Sequence, residues 1–191
     1  MPITRTRINK LSHSDTVLYE IYMLRFACNR LIRSQWENER DAWVYLESFL
    51  VHYRNLIEFL GKQQDRIKRG DIHITTLWGL EGLTTPSWAT QIHAKGQTLW
   101  VKYEEHDDRI SRYLQHCTTK RIDAKDWQID EMVNEIEPLL REIEKAVKPT
   151  NNLLEGIRAV PAMVAHSAST TVATSTAVLP ILPGAEHPPK L

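Results

Sequence analysis

The stretch Asp41–Leu60, DAWVYLESFLVHYRNLIEFL, decides the fold. Projected at about 100° per residue, Trp43, Leu46, Phe49, Leu50, Tyr53, Leu56, Ile57 and Leu60 fill one broad arc. Val51 and Phe59 fall outside it. A helix that is apolar on more than one side packs against several neighbours. The stretch therefore reads as the central helix of an all-α bundle. In its middle stand His52, Arg54 and Asn55. Polar groups carried into a core need hydrogen-bond partners, so these three are read in two ways, as an interhelical network and as candidate binding residues.

Working outward, the pattern predicts a first helix from about Asp15 to Trp36, capped by Ser14 or Asp15. Its buried stripe is Val17, Ile21, Leu24, Cys28, Leu31 and Ile32, with Arg25 at the edge. The central helix extends from about Glu39 to Gln64, and Gly61 near its end signals fraying or a kink. A third helix is expected from about Thr98 to Thr118, with Leu99, Tyr103, Ile110, Leu114 and Cys117 facing the core. A fourth is expected from about Lys125 to Lys148. Pro138 inside it predicts a bend or a split, because proline lacks the N–H of the helical ladder.

Residues 69–98 break the helical period, through Gly70, Gly79, Gly82, Pro86 and Gly96. They read as one long loop with a short helical turn after Pro86, pinned to the bundle by Trp78 and Trp88. From Pro149 the composition turns to Ala, Ser, Thr, Val and Pro, and no formal charge occurs between Arg158 and Glu186. That composition predicts a flexible tail. The expected organisation is an up-and-down bundle of about four helices in residues 1–148, its core at about 14–148, followed by a tail at 149–191.

Composition narrows the function. Lys+Arg and Asp+Glu are both 24, giving a formal net charge of zero. That disfavours a dedicated non-specific binder of nucleic acid or anionic membrane. Residues 126–148 are acidic, with seven carboxylates against three bases. Cys28 and Cys117 fall in apolar helical patterns and suit reduced, buried thiols of a cytoplasmic protein. The N-terminal stretch lacks the apolar core of a signal peptide, and no run is long and apolar enough to predict a membrane span. The eight histidines contain no His-x3-His and no Glu-x2-His pair, so no metal site is expected. Phosphate loops, nucleophile elbows and dinucleotide fingerprints are missing too, and no cofactor is expected.

One stripe carries potential chemistry. Glu105, Arg109, Arg112 and His116 lie on one side of the third helix, opposite its apolar face. Arg109 and His116 are seven apart, within about 20° on the wheel. Arginine can hold a phosphate, and histidine can exchange a proton near neutrality. The plainer alternative is a solvated face with helical ion pairs.

The sequence Arg109-Ile-Ser-Arg-Tyr-Leu-Gln-His116 resembles the Arg-x(4–6)-His motif of HEPN domains, and the helix order over roughly 14–148 is similar to theirs. The resemblance implies a metal-independent endoribonuclease or toxin, generally dimeric, with catalytic Arg109 and His116 lining a cleft between subunits. Two functional expectations follow. The first, placed ahead, is a helical interaction module that binds a second copy or another protein. The second is the HEPN-like ribonuclease, for which RNA is the partner. Binding residues on either reading are His52, Arg54, Asn55 and Arg112, with no membrane partner.

Overall fold

The computed structural model describes residues 11–115, 127–150 and Leu154, except for the side chains of 104–109 and 111–115. The described residues are helical and contain no strand, in agreement with the all-α expectation. The elements are α1 (His13–Ile32), α2 (Glu39–Gly61), a 3-10 turn (Gln64–Arg66), the short α3 (Leu77–Leu80), α4 (Ser87–Gln115) and α5 (Ile129–Ala146).

Helix α2 is central. It packs along α1 on one side and α4 on the other, while α5 touches both α1 and α4. The contacts fix the directions. Tyr19 meets His52 and Phe26 meets Tyr45, so α1 and α2 run antiparallel. Tyr53 meets Tyr103 and Leu60 meets His93, so α2 and α4 do likewise. Phe49, Leu50, Tyr53, Leu56 and Leu60 are fully buried, and Phe59, outside the main arc, is buried as well. The second apolar side of α2 thus has its own covering, supplied by the connection to α4 (Ile74 N–H to Phe59 O, 3.0 Å).

Helix ends follow local chemistry. Ser12, rather than Ser14 or Asp15, caps α1 by accepting the Asp15 N–H at 3.0 Å. That helix stops at Ile32, not Trp36, because Ser34 takes a left-handed φ of 49° and the turn's N–H groups fold back onto Asn29, Arg30 and Leu31. Ile32, expected in the buried stripe, is consequently exposed. Asn38 caps α2 by accepting from Arg40 and Asp41. The helix ends at Gly61 because Lys62 turns to extended backbone (ψ 135°).

The largest departure from expectation is the start of α4. The helix begins at Ser87, eleven residues before Thr98, so the expected loop of 69–98 contracts to a connection of 62–86 with its own short helices. Its Trp78 is buried and stands edge-to-face with Trp88 at 5.0 Å, which anchors the connection as expected. Gly96, which reads as a helix breaker, lies inside α4, where its lack of a side chain serves packing. A Cβ on Gly96 would sit 2.6 Å from the Leu60 carbonyl oxygen, and one on Gly61 would sit 2.2 Å from the Gly96 oxygen. The two glycines let the backbones of α2 and α4 touch.

Helix α5 runs unbroken through Pro138, so the expected bend or split does not take the form of a split. Pro138 and Asn134 both face outward, so water can serve the carbonyl that the proline leaves unbonded. The domain also extends past residue 148. Thr150, just beyond α5, donates its N–H to Asp15 Oδ1 at 2.8 Å and its hydroxyl to Asp15 Oδ2, and Leu154 is buried in the core. Burial alone would raise the Asp15 carboxyl, but the donors from Thr150 and Ser12 hold it below its usual range. This contribution is present above the ordinary carboxylate pKa and is lost as pH falls through the lowered folded value. The rest of the expected tail, residues 151–153 and 155–191, lies outside the described residues.

A chain ending at residue 148 is therefore expected to lose on the order of 3 kcal/mol relative to one ending at 156, through the missing leucine and the unsatisfied Asp15 carboxylate. Urea unfolding of the two truncations checks this. Equal midpoints would mean that Thr150 and Leu154 contribute nothing.

Candidate functional site

Three polar assemblies are built into the bundle. The first ties α5 to α1. Arg25 is 4 % exposed, inside an otherwise apolar face of α1. Its guanidinium grips Glu137 with two hydrogen bonds, Nε to Oε2 at 3.2 Å and Nη2 to Oε1 at 3.0 Å. Nη1 donates to Glu144 Oε2 at 2.9 Å, and Arg141 Nε donates to Glu137 Oε1 at 2.9 Å. Burial opposes the Arg25 charge, yet Glu137 and Glu144 outweigh it and raise its pKa. Nearby Cys28 is buried, and its thiol is pushed up to about 12 by burial and then by Asp130 and Glu137, which keeps it unreactive.

The second assembly contains two of the expected binding residues. His52 and Asn55, three apart on α2, converge on Glu20 of α1. His52 Nδ1 lies 2.7 Å from Glu20 Oε2, and Asn55 Nδ2 donates to the same oxygen at 3.1 Å. A carboxylate only accepts, so the His52 Nδ1 carries the hydrogen. Glu20 and Asn55 open onto a cleft of about 290 Å³ between α1, α2 and the connection. Val17, Leu56 and Phe59 supply apolar lining, and Glu58, Lys62, Asp71 and His73 supply polar groups. Lys62 bridges Glu58 at 3.0 Å and Asp71 at 3.2 Å. Burial disfavours the lysine charge, but the two carboxylates raise its pKa on balance. Arg54 has its Nε 3.6 Å from Oε1 of Glu58, the carboxylate that also holds Lys62.

The third assembly joins α2, α4 and α5. Tyr53 and Tyr103 meet edge-to-face at 5.6 Å, and the Tyr103 hydroxyl donates to Glu135. Lys102 also reaches Glu135, and it reaches Glu131 at 2.9 Å. Burial and then Glu135 push the Tyr103 phenol up to about 12.

His52 turns toward Glu20 of α1, whereas its neighbour Tyr53 meets α4. Arg109 and Arg112 lie on the helical backbone of the last turns of α4, beyond Tyr103. Their side chains, and His116 altogether, lie outside the described residues. Among the described residues no three His, Cys, Asp or Glu side chains gather as metal ligands, and no helix is long and apolar enough to cross a membrane.

Sequence inspection missed Glu20, Glu137 and Glu144 as partners. An arginine bordering an apolar stripe signals a need for a carboxylate, and Glu137 and Glu144, seven apart, share a helix face. Which carboxylate answers is decided only by packing. No protein-family model, curated protein or solved structure matches this chain.

Glu137→Leu is expected to cost about 3 kcal/mol, because the buried Arg25 loses its bidentate carboxylate and keeps only Glu144. Arg25→Met combined with Glu137→Leu should cost markedly less, since no buried charge is then unpaired and Glu144 and Arg141 can turn to water. Chemical denaturation of the single and double variants measures both. A double variant as unstable as the single would show that the site needs the ion pair itself.

Proposed function

We propose that the chain is a helical interaction module that associates with a second copy of itself through the turn closing α3. The observation that supports this reading is the exposure of Leu80 (47 %) and Leu83 (62 %) on one rigid turn. Single exposed leucines are ordinary. Two of them three residues apart on a held turn make a presented surface. The hold is specific. Leu83 N–H bonds the Trp78 carbonyl at 2.7 Å, Gly82 takes a φ of 72°, and Trp78 packs on Trp88. Glu81, between the leucines, accepts the Ser14 N–H at 2.9 Å, placing a carboxylate at the positive end of α1. A turn this constrained loses little freedom on binding, which favours association. The buried charges Asp15, Arg25 and Glu137, by contrast, join parts of the fold to one another.

Sedimentation velocity across a concentration series tests the proposal. The native chain is expected to shift from monomer to dimer, and Leu80→Asp with Leu83→Asp to remain monomeric with an unchanged melting temperature. A native chain that stays monomeric throughout would contradict it. Cleavage of RNA in the presence of a chelator, abolished by Arg109→Ala, would favour the HEPN-like ribonuclease instead.

A further inference from the structure

His73 is 1 % exposed, on the connection between α2 and α4. Its Nδ1 accepts the Thr75 N–H at 3.3 Å and lies 2.8 Å from the Thr75 hydroxyl. The neutral ring therefore keeps its hydrogen on Nε2. The His73 carbonyl starts α3 by accepting from Thr76 at 3.0 Å and Leu77 at 2.9 Å. Against its ring stands His93 of α4, edge-to-face at 4.8 Å. His93 is fixed in turn, its Nδ1–H donating to the Leu60 carbonyl at 2.9 Å, one of the orphan acceptors at the end of α2.

We propose that His73 and His93 form an acid-sensitive latch, which holds the 62–86 connection on the bundle at neutral pH and releases it in acid. The geometry gives the reason. A proton on His73 Nδ1 removes the lone pair that accepts the Thr75 N–H, so that N–H loses its acceptor while the Thr75 hydroxyl turns to accept the new N–H. The new charge is buried, and it faces His93, whose ring is held against it by the bond to Leu60. Lys62, just past the end of α2, acts both ways: its backbone carbonyl favours the charged ring, and its ammonium opposes it. Glu20 of α1, Glu58 of α2 and Asp71 of the connection line the same cleft, but Glu58 and Asp71 are engaged with Lys62 and Glu20 with His52 and Asn55.

Burial, and then His93, lower the His73 pKa to about 4. A released, solvated histidine titrates near 6.5. The closed form binds the proton less well than the open form, so the latch is at full strength above about pH 6.5 and weakens as pH falls toward about 4. At pH 5 the opening equilibrium is favoured by roughly thirtyfold over its value at pH 8. Opening bares Ile74 and Leu77 together with the face of α2 around Phe59.

Hydrogen exchange of the full chain, corrected for the intrinsic effect of pH, tests this. Amide protection across 72–83 is expected to fall about thirtyfold from pH 8 to pH 5, while the core amides of α2 hold. His73→Asn keeps an acceptor for Thr75 and cannot titrate, so its protection should be independent of pH in this range. His93→Gln, which removes the ring that lowers the His73 pKa, should move release to lower pH. A native chain that keeps its protection to pH 4.5, or a His73→Asn variant that still loses it, would overturn the latch. If His73→Asn does not fold, an unmoved release in His93→Gln would overturn it as well.

Discussion

The contact between Gly61 and Gly96 is the constraint on which the rest of the arrangement depends. At most helix crossings side chains keep the helix axes about 8–10 Å apart. Here neither partner has a side chain at the crossing, and a Cβ on either would strike the other's backbone. The approach lets His93 reach the Leu60 carbonyl and, one residue past the end of α2, leaves Lys62 to begin the connection. It also sets the level at which Tyr53 faces Tyr103 two turns further along. Glycine inside a helix costs about 1 kcal/mol in propensity relative to alanine. At Gly96 the chain accepts that loss in exchange for contact.

Helix α5 is held by a different means. Its links to α1 and α4 include ions as well as apolar packing: Arg25 to Glu137 and Glu144 on one side, Lys102 and Tyr103 to Glu135 on the other. A buried ion pair adds little net stability over an apolar replacement, because both charges give up water. Its effect is selective. A shifted register for α5 would leave Arg25 without its carboxylates, so the pair disfavours wrong dockings more than it strengthens the right one. The residues after α5 extend the same logic, since Thr150 donates to Asp15 where α1 begins.

How much of this was legible in the sequence depends on the range of the interaction. The arc of α2 was legible because helical period is local, and Leu50, Tyr53 and Leu56 are buried as that period requires. The polar triplet was legible as a need but not as an answer, since His52 and Asn55 find Glu20 more than thirty residues away. The start of α4 was hidden by Gly96. In sequence it signals a break, and only the neighbouring backbone explains it. Asp15 looked like a cap because it stands at a helix start, and its true partner lies 135 residues downstream. The stripe of Arg109, Arg112 and His116 remains a feature of spacing.

Substitution of Gly96 by alanine tests the central constraint most directly, because two effects of opposite sign compete there. Helix propensity alone would stabilise the variant by about 1 kcal/mol. Close contact requires α2 and α4 to separate, which should cost about 1–3 kcal/mol and disturb the Tyr53–Tyr103 pair. Equilibrium unfolding of Gly96→Ala beside the native chain decides between them. A lower unfolding midpoint is the result this account requires. A variant more stable than the native chain would show that the glycine contact does not set the packing of α2 on α4.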